Sequence, residues 1–315
     1  MKKKYQILVT GAAGYLGSML CTELVSRGYI VTAVDKLKYD KNSLCHLFFF
    51  KKNFKFIKAD VTKINIIKKI IKNKDFIIPL AGLVGAPLCK RKKSEAVKIN
   101  VNAIKLIMKF IKQSQKIIYP TSNSGYGIGQ KSKFCDENSP LNPISLYGRT
   151  KVEAEKIVIQ HANFVAFRLA TVFGYSYRMR TDLIVNNFVE KAVKSSRLDI
   201  FEPKFRRNFI HIKDVIRGFV FAIENFKIVK NNIFNLGLSS ANITKIQLAQ
   251  KIKKNLKKTK IVVNRSKSDP DKRDYFVSNK KIEKKGFKAK ISLEDGIEEL
   301  KKIFINCDIK FNNNY

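Results

Sequence analysis

The chain has 315 residues, with 63 Lys plus Arg against 25 Asp plus Glu, a formal balance of +38. Hydrophobic residues make up 45% and charged residues 28%, which excludes a disordered, tail-like protein in which low hydrophobicity accompanies high charge. At roughly 100–200 residues per domain, the length fits one large domain or two closely joined ones. So basic a balance raises nucleic acid as a partner. The lysines are spread along the whole chain, with no basic block and no nucleic-acid motif, so none is expected. A lysine-rich surface that draws in an anionic small molecule fits better. Five cysteines (Cys21, Cys45, Cys89, Cys135, Cys307) form no CxxC pair, and His46, His161 and His211 form no ligand-spaced cluster. Reduced thiols, a cytoplasmic location and no metal are therefore expected.

Residues 5–22 carry no charge and follow three lysines, which superficially mimics a signal peptide. Only Ile7–Val9 is strongly apolar, and Gly11, Gly14 and Gly17 interrupt the stretch, so neither export nor a membrane span is expected. Short apolar runs then predict strands at 6–10, 30–34, 54–58, 76–79, 116–120 and 164–168. Helical periodicity between them predicts helices at 15–27, 63–72, 95–113 and 147–162. Such alternation implies an α/β fold, a doubly wound parallel sheet covered on both faces. After about residue 175 the pattern becomes turn-rich, with helices expected near 183–195, 214–225, 244–257 and 293–304. No low-complexity linker separates the two parts.

Gly11-Ala12-Ala13-Gly14-Tyr15-Leu16-Gly17 follows the first strand and opens a helix. Glycines there permit a tight turn and let backbone approach a pyrophosphate at the helix N-terminus. Asp35 ends the second strand, where a carboxylate accepts from ribose hydroxyls and repels a 2′-phosphate, favouring NAD over NADP. Asp60 ends the third strand, where it could meet an adenine amino group or equally cap the following helix. Tyr147-Gly148-Arg149-Thr150-Lys151 puts Tyr147 and Lys151 on one helical face. A phenol ionises near pH 10, and a neighbouring ammonium and a nicotinamide cation would lower that value. Upstream, Ser122 ends the fifth strand as a second proton-bridging group. Thr121 and Ser124 are local rivals, and any of the three could merely cap the turn.

This combination resembles the extended short-chain dehydrogenase/reductases, in their nucleotide-sugar epimerase/dehydratase branch, over nearly the whole chain. The resemblance implies a Rossmann sheet with a smaller mixed C-terminal substrate-binding part. It divides the chain into an NAD-binding domain of residues 1–173, joined by returning segments from 206–236, and a mainly nucleotide-sugar-binding part, 174–315. Tyr15, Leu16 and Val61 would join the glycines and acids around NAD. Leu80-Ala81-Gly82 resembles the segment lining the nicotinamide side, Asn100 matches the family's helix asparagine, and Val172 lies in the stretch holding the carboxamide. Asn187 matches a sugar-nucleotide contact. Arg207, in Arg206-Arg207-Asn208-Phe209-Ile210-His211, and Arg273, in Asp271-Lys272-Arg273-Asp274-Tyr275, match arginines near the diphosphate. Arg178 and Arg180 are further substrate candidates.

Departures narrow the chemistry. Family 4,6-dehydratases carry Asp-Glu directly after the catalytic Ser or Thr. Here Asn123 and Ser124 stand there, Asn123 as a substrate-facing residue, and neither is a carboxylate base. Pro79 and Gly82 depart from the usual His and Ala, and Asn208 from the usual Asp. The resemblance then points to the sugar-nucleotide 4-dehydrogenases and 4-epimerases of surface and capsule polysaccharide synthesis, GDP-heptose 4-dehydrogenases among them. It implies an oxidoreductase that takes a GDP- or UDP-linked sugar to a 4-keto sugar. Tyr147 would be the base, Lys151 its tuner and ribose ligand, and Ser122 its hydrogen-bond partner. It also implies a homodimer through the helices near 95–113 and 147–162, where Val97, Val101, Ile104 and Met108 form an apolar stripe.

Overall fold

The computed structural model describes residues 4–50, 52–129, 133–264 and 273–307. Six strands fall within two residues of their expected limits: β1 (Gln6–Thr10), β2 (Ile30–Asp35), β3 (Phe54–Lys58), β4 (Phe76–Pro79), β5 (Lys116–Ser122) and β6 (Phe164–Leu169). Six further strands follow: β7 (Thr171–Phe173), β8 (Arg197–Ile200), β9 (Arg206–His211), β10 (Asn232–Leu236), β11 (Asn242–Thr244) and β12 (Lys260–Val263). The main sheet has the order β10-β6-β5-β4-β1-β2-β3, every neighbouring pair being parallel. Successive side chains of β1 point to opposite faces. Ile7 and Val9 join one apolar core, and Leu8 joins the other. Helices cover both faces, as near-continuous apolar strands require.

The chain winds outward through β2 and β3 and then crosses back to place β4 on the other side of β1. Between the carboxyl ends of β1 and β4 the crossovers diverge, which opens a crevice there. A three-stranded sheet, β11-β9-β7, and a parallel pair, β12-β8, form the far wall. The seventh main-sheet strand comes from the later half of the chain, since β10 pairs with β6 in register Phe234 to Phe167.

The helix predicted over 95–113 is three pieces: Lys93–Val97, a π-helical turn at Lys98–Asn102, and Ala103–Phe110. The wider turn sets Asn100 inward. The expected dimer stripe is largely consumed internally. Val101 is fully buried and Ile104 packs into the second core against the chain's own sheet, leaving Val97 exposed and Met108 half-buried. The helix Ala86–Arg91 is an additional element, and Pro87 occupies its first turn, where its missing N–H costs nothing.

Helix Leu146–Val158 carries the Tyr147 and Lys151 pair. Ser145 caps it, its hydroxyl accepting from the Gly148 N–H at 3.1 Å. Its far end is tied to β6 by Arg168, whose guanidinium donates to both oxygens of Glu155, the shortest contact 2.7 Å. Both side chains are at most 5% exposed. Arg168 also donates to the Tyr126 hydroxyl and the Glu137 carbonyl, each at 3.1 Å. Removing one partner of such a pair strands a buried charge, whereas removing both does not. Glu155→Ala should therefore lower unfolding stability by about 3–5 kcal/mol, and Glu155→Leu with Arg168→Met should recover most of that loss. Urea unfolding of the two variants checks this, and equal losses would contradict it.

Candidate active site

The crevice is a cavity of about 560 Å³. At one end the glycine turn forms its floor. Gly11 has φ +66°, and a Cβ there would lie 2.5 Å from the Ala81 nitrogen. A Cβ on Gly17 would meet the Gly11 carbonyl oxygen at 2.2 Å, so the helix Tyr15–Ser26 can pack against the turn only as glycine. Gly14 caps that helix without any side-chain acceptor. Its first amides thus border the cavity unclaimed by a side chain, as binding a pyrophosphate requires. The Tyr15 side chain is occupied elsewhere, its hydroxyl donating to the Gly174 carbonyl at 2.7 Å, while the residue still lines the cleft with Leu16.

Asp35 lines the same end. Its two oxygens accept from the Ala13 and Leu37 N–H groups at 3.1 and 2.7 Å, and burial raises its carboxyl above the ordinary value. Asp60 also lines the cleft, beside Val61. It does not cap the next helix, whose N-cap is Lys63. Its carboxylate accepts from the Thr62 N–H two residues on. Leu80, Ala81, Gly82 and Val172 line the middle of the cavity. Asn100 does not reach it. Its amide brackets the Leu83 backbone, accepting from N–H at 2.7 Å and donating to C=O at 2.9 Å, and also donates to the Thr150 hydroxyl at 3.1 Å. Asn100 thereby pins the loop after β4 to the helix that carries Tyr147.

Ser122, Tyr147 and Lys151 line one wall together. The Ser122 side chain bears on the Tyr147 phenol and favours its ionised form, while Ser124 is buried behind it and donates to Ser122 Oγ at 2.8 Å. Burial raises the Tyr147 phenol above its usual value, and Cys89 adds to this. The Arg273 charge, the Ser122 hydrogen bond and the Arg180 charge oppose it. Burial pushes the Lys151 ammonium down to about 7. Lys151 Nζ donates to the Tyr119 hydroxyl at 2.9 Å and lies 4.3 Å from that ring's centroid. Arg273 and Arg180 are thus cations that bear on Tyr147.

Arg178, Arg180, Asn187, Arg207 and Arg273 line the far wall. Arg206 fixes two of them. Its backbone N–H and its guanidinium both reach Asp274, at 2.8 and 2.9 Å, which holds Arg273 alongside β9 and Arg207. Asp271 and Lys272 lie outside the described residues. Arg180 forks onto Asp182, with its Nε 3.0 Å from the carboxylate, and Arg178 stacks 5.0 Å from the Tyr39 ring centroid. Asn123 does not line the cavity: it is 1% exposed, and neither polar atom of its amide has a hydrogen-bond partner. Sequence reasoning missed Lys36, Lys38, Glu95 and Lys245, all of which line the cleft. Lys245, 3% exposed, donates to the Phe201 carbonyl at 2.8 Å, a burial that lysine-rich composition gives no reason to expect. Among the described residues no cluster of metal-binding side chains is found, and no helix is long and apolar enough to cross a membrane.

Comparison with known proteins agrees with this architecture. The profile of the NAD dependent epimerase/dehydratase family matches residues 7–237. UDP-glucuronic acid decarboxylase 1 of Arabidopsis thaliana is 27% identical, covering 97% of this chain and 71% of its own length. The human dTDP-D-glucose 4,6-dehydratase is 25% identical over 93% of this chain and 88% of its own. The structure of UDP-glucuronic acid 4-epimerase from Bacillus cereus, solved with UDP-glucuronic acid and NAD, has the same fold. Its TM-score is 0.84 at 24% identity, covering 95% of this chain and 99% of that one. The chain belongs to the NAD dependent epimerase/dehydratase family and is an NAD-dependent nucleotide-sugar enzyme.

Proposed function

We propose that the enzyme oxidises a nucleotide-diphosphate sugar at C4 to the 4-keto sugar, as a dehydrogenase of surface-polysaccharide sugar synthesis. The observation that carries this reading is that Tyr147, Ser122 and Lys151 line one cavity together with the glycine turn and with Arg207 and Arg273. Tyr147, as phenolate, takes the proton of the C4 hydroxyl while Ser122 shares the hydrogen bond. NAD, when bound, supplies the acceptor for the C4 hydride. Lys151 sits below that site and binds the nicotinamide ribose, leaving its contact with Tyr119. Arg207 and Arg273 hold the diphosphate, for which Arg forks suit phosphate oxygens better than Lys. Asn187 aligns the nucleotide, with Arg178 and Arg180 lending positive charge from the wall.

A 4-epimerase uses the same groups if the ketone turns over in the site and is reduced on its other face. The likeness to a UDP-glucuronic acid 4-epimerase supports that second reading equally. Dehydration is disfavoured, because Asn123 lies outside the cleft and Ser124 is buried behind Ser122. Incubation with GDP- and UDP-sugars, followed at 340 nm and by product mass and NMR, separates the readings. Loss of two hydrogens with NADH formed means oxidation, and unchanged mass with inverted C4 means epimerisation. A homodimer remains part of the proposal, with Val97 rather than Val101 and Ile104 at the contact.

Tyr147→Phe should bind NADH nearly as the parent does while turnover falls about 10²-fold or more, the scale of a lost acid–base group. Near-parental turnover would refute the assignment. Arg207→Ala and Arg273→Ala should each weaken nucleoside diphosphate binding by about 10- to 150-fold, with NADH binding kept. Calorimetric titration reads both.

Folding loosens the hold of Lys151 on its proton. In the unfolded chain it is held up to pH about 10.5, and in the folded chain only up to about 7. Between those values the unfolded state binds more protons, so this group makes stability rise with pH. Its cost is full below pH 7 and gone above 10.5. Lys151→Met should therefore raise Tm over the parent by more at acidic than at alkaline pH, while abolishing turnover. A Tm difference that does not change between those pH values would contradict the depressed lysine.

A further inference from the structure

Four charged side chains crowd the cofactor end of the cleft without a part in the chemistry above. Lys36 follows Asp35 directly, Lys38 comes after Leu37, and Glu95 reaches across from the helix Lys93–Val97. Glu95 Oε1 lies 2.6 Å from Lys38 Nζ and 3.7 Å from Lys36 Nζ, and Lys92 Nζ stands 3.7 Å from the other oxygen. The Lys36 charge also reaches the Asp35 and Asp60 carboxylates, which puts it at the edge of the adenosine site. One carboxylate thus engages three ammonium groups at the place where the two dinucleotide cofactors differ.

That difference is a 2′-hydroxyl in NAD and a 2′-phosphate in NADP. A phosphate there needs cations, and Lys36 and Lys38 would be well placed to meet it. We propose that Glu95 is a cofactor-selecting residue, which holds Lys38 and Lys36 away from a 2′-phosphate and so reserves the site for NAD. Asp35 repels the phosphate and rewards the hydroxyls, while Glu95 removes the counter-charges that would outweigh that repulsion. The proposal rests on the reading of Asp35 as the ribose ligand.

The test measures NADH and NADPH affinity by nicotinamide fluorescence at one ionic strength. The proteins are the parent, Glu95→Gln, Lys38→Met and the triple variant Glu95→Gln, Lys36→Met, Lys38→Met. The parent should prefer NADH. Glu95→Gln should tighten NADPH by about tenfold or more, the worth of one charge-assisted contact, and change NADH by less than about threefold. Lys38→Met breaks the same ion pair without adding net positive charge, so it should show no gain for NADPH. The triple variant should fall back to parental preference. An unchanged NADPH-to-NADH ratio in Glu95→Gln overturns the proposal, as does an equal gain for both cofactors. Failure of the underlying reading looks different, since the parent itself would then bind NADPH at least as tightly as NADH.

Discussion

The close approach of the turn after β1 to the turn after β4 is the constraint on which the rest depends. Gly11 lies so near the Leu80–Ala81 backbone that any side chain there would occupy the space of main-chain atoms. Gly17 lets the first helix rest directly on the same turn. These two contacts draw the helix N-terminus into the gap between β1 and β4, where the crossovers part. The acids ending β2 and β3 and the hydroxyl ending β5 then face one crevice, because parallel strands all end on the same side. A larger residue at either glycine would displace the cofactor floor and the loop that Asn100 pins.

Within that crevice electrostatics is local rather than global. The chain is very basic, yet the lysines that set its net charge are mostly solvated. The site is shaped by a few buried groups. Burial opposes ionisation of Tyr147 and protonation of Lys151 alike, and the arginines at the far wall work against it for the phenol. A guanidinium suits this place because it stays charged when buried, whereas a buried lysine gives up its proton. On the proposed reading Arg273 serves two ends: a ligand for diphosphate and a bias toward the phenolate beside it. The pairing of Asp274 with Arg206 keeps it there.

Much of this was legible because local chemistry and fold agree. The short apolar runs marked six strands, the glycine spacing marked the turn, and the four-residue interval put Tyr147 and Lys151 on one face. What escaped the sequence depends on distant partners. The π-helical turn at Lys98–Asn102 has no signature in periodicity, since its wider winding is set by where Asn100 finds the Leu83 backbone. Local sequence does not rank Thr121, Ser122 and Ser124, whereas the fold puts Ser124 behind Ser122 and leaves Ser122 lining the cleft beside Tyr147. Lys38 and Glu95 lie 57 positions apart, and nothing in either segment announces the other. The periodicity of Val97, Val101, Ile104 and Met108 shows that a face is apolar without showing that Val101 and Ile104 are covered within the chain itself.

The placement of β10 carries a consequence for how the chain is made. β6 is complete at Leu169, but the strand that covers its free edge spans Asn232–Leu236. A chain emerging from the ribosome therefore exposes β6, apolar but for Arg168, as an open edge while more than sixty further residues are added. Those intervening residues include β7, β8 and β9, which form part of the far wall. The wall is finished later still, since β11, β12 and Arg273 all follow β10. During synthesis both sides of the cleft thus wait on the later part of the chain, and a chain stopped short of Leu236 would hold a nucleotide turn on an unfinished sheet.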